Sequence, residues 1–143
     1  MDKIFNLSAI TGGIVGGFLC KMFGGYDILL KALIAFIVLD YITGVLKAIY
    51  TKTVSSETGF KGLIRKFLIL IVVVVAVTIE GVLGDAIPIR EITITFFLCN
   101  EGISLLENAS EFIPIPEKLK SIFIQLRDKN VRNNMEDKEN DTE

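Results

Sequence analysis

From Phe67 to Ile79 the chain reads FLILIVVVVAVTI, an unbroken charge-free run at the centre of a longer apolar stretch, 63–83. Its many Val and Ile residues favour strands, but strands usually span about 4–8 residues. In lipid, a lone segment must also satisfy its own backbone hydrogen bonds, which selects helix even for β-branched residues. A helix of about 20 apolar residues crosses roughly 30 Å of hydrocarbon. Further apolar stretches occupy 4–23, 28–49 and, in its first half only, 91–109. The expectation is an all-α integral membrane protein with four transmembrane helices and a C-terminal amphipathic helix. Composition agrees: 51% of residues are hydrophobic and mean hydropathy is +0.56.

The first stretch differs from a secretory signal. Its Met-Asp-Lys start is weakly basic, and GGFLCKMFGG offers no clear small-x-small cleavage site. It is therefore read as a retained span, and residues 1–116 as one transmembrane domain. Pro114 and Pro116 then interrupt the chain. Beyond them Leu119, Ile122, Phe123 and Leu126 recur at helical spacing among Lys118, Lys120, Arg127 and Lys129. That pattern predicts a basic amphipathic helix over 117–130, suited to a membrane surface or a partner helix. Residues 131–143 lack a core-forming pattern and read as a charged, disordered tail.

Lysine and arginine set the orientation. Lys52 and Lys61, with Lys47, Arg65 and Lys66 beside them, surround the connection between the second and third spans. Positive residues near span ends stay cytoplasmic. The turn at Gly24 to Asp27 and the loop from Asp85 to Arg90 then lie outside. Four crossings put both termini in the cytoplasm, in agreement with Lys3 and the basic helix. The expected location is the bacterial cytoplasmic (inner) membrane, multi-pass.

Several function classes are improbable on composition. There is no His, so the commonest general base and metal ligand are missing. No Walker loop, G-x-G-x-x-G or C-x-x-C occurs. Cys20 and Cys99 both sit in apolar stretches and read as small hydrophobes rather than a disulfide or metal pair. The net charge of −2 offers no field for nucleic acid. No catalytic residue, metal or cofactor is expected. A proton relay of Asp40, Glu80 and Glu101 is conceivable, but the repeated architecture of a secondary transporter is missing.

What remains are polar groups inside apolar segments. Asp40 lies within the second span, where a carboxylate costs about 2.5–3.5 kcal/mol on insertion scales and must face protein or water. Thr43, Gly44 and Lys47 lie near its face. That face either lines an oligomer interface or water-filled lumen, or simply holds helices together through a hydrogen-bonded Asp. On the fourth segment Asn100, Ser104, Glu107 and Glu111 share a narrow helical arc, with Glu101 and Asn108 at its edge. The arc is read as buried or pore-facing, because the TITFFLC half upstream looks membrane-embedded. In the first span, Gly12 with Gly16 and Gly13 with Gly17 form overlapping G-x-x-x-G pairs, which favour close helix association in lipid.

Three stretches together resemble a known family. They are DYITGVLKA from Asp40, SSETGFKGLIRK from Ser55, and NEGISLLEN from Asn100, followed by Pro114-Ile115-Pro116. In this order and spacing they are similar to the toxin secretion/phage lysis holin family, also called phage holin family 4, over roughly residues 28 to 127. The resemblance implies a small phage-encoded membrane protein that oligomerises and, at a set time, forms lesions releasing an endolysin or, in relatives, a large toxin. Implied partners are the lipid bilayer, further copies of the chain, and the released endolysin or toxin. The rival readings are a non-lytic membrane scaffold, an antiholin-like regulator and an ion-coupled carrier.

Overall fold

The structure, a computed structural model, describes the backbone of residues 2–84 and 87–140 and the side chains of 11–84 and 87–129. Lys3 as a side chain, Asp85 and the last three residues of the tail lie outside the described residues. Five helices follow one another: α1 (Asp2–Met22), α2 (Ile28–Tyr50), α3 (Ser56–Leu83), α4 (Ile89–Ala109) and α5 (Glu117–Asn140). The described residues contain no strand. By length and composition, α2 and α3 can each cross a membrane. α4 is less apolar than either, with Arg90, Glu91, Asn100, Glu101 and Glu107 along its length.

Local chemistry sets the boundaries. Asp27 caps α2, its carboxylate accepting from the Leu30 N–H at 2.9 Å. Ser55 caps α3 more loosely, accepting from the Thr58 N–H at 3.4 Å. Pro114 and Pro116 cannot continue a helix, and α5 starts directly after the second of them. α5 extends to Asn140, beyond the 117–130 stretch read as an amphipathic helix. Residues such as Arg132, Met135, Glu136 and Lys138 are good helix formers, and no Gly or Pro stops them.

α2 buries Leu30, Leu33, Ile37 and Asp40, and α3 buries Lys66, Ile69, Val73 and Ala76. Both sets follow the three-four spacing of a helix–helix seam. The core joins Leu33 and Ile37 to Ile69, Val73 and Ile94, with Phe23, Leu29, Leu70, Phe97 and Leu98 around it. α2 and α4 run parallel, since Asp27 meets Arg90 near one end and Lys47 meets Glu111 at the other. α3 runs against both. Outside this seam the helices are greasy: Val38, Leu46, Phe67, Leu68 and Val75 are all exposed. A continuous apolar outer surface of that kind belongs against lipid or another subunit.

Candidate functional site

The antiparallel seam brings Asp40, the last buried residue of α2, beside Lys66, the first buried residue of α3. Lys66 Nζ donates to Asp40 Oδ2 at 2.6 Å and also to Glu101 Oε2 on α4. The Asp40 Oδ1 atom accepts from Asn108 Nδ2 at 3.0 Å. Asp40, Lys66 and Glu101 are each less than a tenth exposed. One ammonium thus ties two carboxylates, and three helices meet at it. In lipid, apolar contact gives helices little preference for one another over acyl chains, so packing detail and polar bonds decide which faces meet.

Lys66 is set apart from the other basic residues of the α2–α3 connection by its burial. The sequence places it with Lys52, Lys61 and Arg65 as a cytoplasmic flanking charge. Those three are exposed, Lys61 pairing with Glu57 at 2.7 Å, but Lys66 points inward. The polar arc on α4 is rotated as well. Its edge residues, Glu101 and Asn108, reach the cluster; Asn100 and Ser104 are half-buried outside that set of bonds. Glu107 and Glu111 form outer ion pairs, with Lys120 at 2.7 Å and Lys47 at 3.0 Å. Thr43 turns its hydroxyl back onto its own helix, donating to the Leu39 and Asp40 carbonyls. Gly44 faces α4, where a Cβ would meet Asn108 Nδ2 at an ordinary contact distance of 3.5 Å. Gly12, Gly13, Gly16 and Gly17 face open space, so their spacing is not used in packing within the described part of the chain.

A second cluster at the other end of the bundle involves Arg90, which the sequence did not mark as a candidate. Arg90 is 4% exposed. Nε donates to the Phe23 carbonyl at 2.6 Å and Nη2 to the Gly25 carbonyl at 3.2 Å. Nη1 donates to Asp27 at 2.7 Å and Glu91 at 3.2 Å. Arg90 therefore ties the α1–α2 turn to the start of α4. Gly24 is required there on two counts. Its φ is +72°, and a Cβ would lie 2.8 Å from the Arg90 side chain. Glu80, considered above as a relay carboxylate, instead caps α4 from α3, accepting the Arg90 N–H at 2.7 Å. Pro88, at the N-cap position, makes no side-chain cap of its own.

The guanidinium bond from Arg90, helped by the Leu30 N–H, holds the Asp27 carboxyl below the usual carboxylate range. A lowered folded-state pKa gives stability that is full above the ordinary carboxylate value of about 3.9 and is lost as pH falls through the lowered value. Asp27→Asn should therefore be less stable than the parent at neutral pH. The gap should close as pH drops below about 4. Thermal unfolding in detergent from neutral to acidic pH measures this; a gap independent of pH would show that the charge of Asp27 contributes nothing.

No group of His, Cys, Asp or Glu among the described residues could hold a metal ion. The two clusters hold a bundle of greasy helices in register and define a helical membrane protein. Residues 17–128 match the model of the bacteriophage holin family, and the chain belongs to that family. A protein of Clostridium perfringens, described as an uncharacterized 14.9 kDa protein in the nagH 3′ region, is 42% identical over 90% of this chain and 99% of its own length. The uncharacterized protein Lin0175 of Listeria innocua is 41% identical over 87% of each chain. A probable holin of Bacillus phage phi105 is 35% identical over 55% of this chain and 59% of its own. No solved structure matches the chain.

Proposed function

We propose that this protein is a holin that oligomerises in the bacterial cytoplasmic membrane and opens lesions large enough to release an endolysin or a large toxin. The Lys66 cluster carries the reading. It places two carboxylates and an ammonium inside helices whose outer faces are apolar. In the quiet state these groups shelter one another within the bundle. When subunits assemble, the same faces can meet water, which removes part of their desolvation cost. Four crossings with both termini in the cytoplasm complete the proposal, with α1 and α4 joining α2 and α3 as spans.

Inducible expression in a bacterium, with and without an endolysin lacking its own export signal, tests this. The expected result is an abrupt loss of membrane potential and viability, with endolysin activity appearing outside the membrane. Continued growth at high membrane levels would favour the scaffold reading. Delayed lysis on co-expression with an active holin would favour the antiholin-like one.

A further inference from the structure

α5 folds back along α4, and none of its residues from 117 to 129 is fully buried. Its seat centres on a notch. Gly102 on α4 is buried, and a Cβ there would lie 2.7 Å from the Phe123 ring and 3.1 Å from the Phe36 ring. Phe123 and Phe36 pack with their centroids 6.1 Å apart. The Lys120–Glu107 ion pair, partly exposed, is the second attachment. Leu119, Ile122 and Leu126 stay between 40% and 49% exposed, so the apolar face of α5 is only shallowly engaged. Few buried contacts and a connection broken by Pro114 and Pro116 mark a segment that opens before the rest of the bundle.

The outer face of seated α5 carries Lys118, Gln125 and Lys129, all exposed, while the half-buried Lys120 and Arg127 flank Phe123 on the α4 side. Hydrocarbon does not accept such a row, so seated α5 must face water. The α4 surface beneath it, around Cys99 and Gly102, carries one charge, Glu107, which Lys120 pairs, and otherwise suits lipid or a neighbouring helix. We propose that α5 is a releasable strap, held in the Gly102 notch by Phe123, which covers this surface of α4 until the chain assembles. That lifting it controls lesion opening rests on the holin reading; that it is seated on α4 does not.

The experiment uses the full chain in vesicles of phosphatidylethanolamine and phosphatidylglycerol loaded with a self-quenched dye. Cys20 and Cys99 are replaced by Ser, and Glu107→Cys with Lys120→Cys places thiols across the α4–α5 contact. A short bis-methanethiosulfonate linker, removed by dithiothreitol, joins them. The expected result is efficient linking, at least a ten-fold slower dye release, and recovery on reduction. Adding Gly102→Ala or Phe123→Ala should cut linking several-fold. The alanine at 102 also raises the helix propensity of α4, so a loss there reports the filled notch rather than a weakened helix. Poor linking of the parent pair, or linking unaffected by either notch variant, would overturn the strap. So would unchanged release from the linked protein. If even the unlinked parent releases no dye, the holin reading fails, and the linking yields of the notch variants still decide whether α5 is seated.

Discussion

Lys66→Met is expected to destabilise the bundle by about 3–5 kcal/mol, the cost of removing one partner from a buried ion pair. The loss is large because Asp40 and Glu101 would be left facing each other, with only Asn108 donating to Asp40. Unfolding in mixed detergent micelles measures it, with Lys61→Met as the control. Lys61 forms an exposed pair with Glu57, and such pairs are worth at most about 1 kcal/mol. The triple variant Lys66→Met, Asp40→Leu, Glu101→Leu should recover most of the stability, because a buried ionic triad replaced by packed apolar groups is often neutral or better. Under the proposed function it should not recover lysis timing, since no group would then gain from meeting water. A triple variant that lyses on the parent schedule would separate the cluster from the timing and leave it a purely structural device.

Arg90→Met should cost about 3 kcal/mol, the low end for a broken buried pair, because Asp27 keeps access to solvent. Arg90→Lys should recover little of this. An ammonium cannot reproduce the planar fork that serves the Phe23 and Gly25 carbonyls together with Asp27. The same unfolding measurement reads both variants. A full rescue by lysine would mean that charge alone, and not the tie to the turn, matters there. Gly24→Ala should show a related loss, since the turn and the Arg90 side chain both need that position to lack a side chain.

Much of this architecture is legible in the sequence, for physical reasons that differ along the chain. The charge-free run in α3 and the two prolines before α5 act locally, and each marks its element without help from the rest. Asp40 stands out because a carboxylate among apolar neighbours needs a partner wherever it lies. Its partner is harder to read. Every position from Phe67 to Ile79 in α3 is uncharged and all but Thr78 are apolar, so the sequence shows no inward face there. The spacing Lys66, Ile69, Val73, Ala76 becomes visible only when the seam is known. Arg90 was hidden differently: its acceptors on Phe23, Gly25 and Asp27 are more than sixty positions away, and two of the three are backbone carbonyls that carry no residue signature.

The sequence by itself determined that the chain is helical, greasy and family-typed, because hydrogen-bond satisfaction in lipid and motif succession are properties of consecutive residues. Which acid meets which base was decided only by the tertiary structure. The antiparallel run of α3 against α2 and α4 brings Lys66 to Asp40 and Glu101, and the notch at Gly102 admits Phe123 from a helix that the prolines had cut free. These pairings depend on helix direction and rotation about the axis, and a uniformly apolar helix face encodes neither.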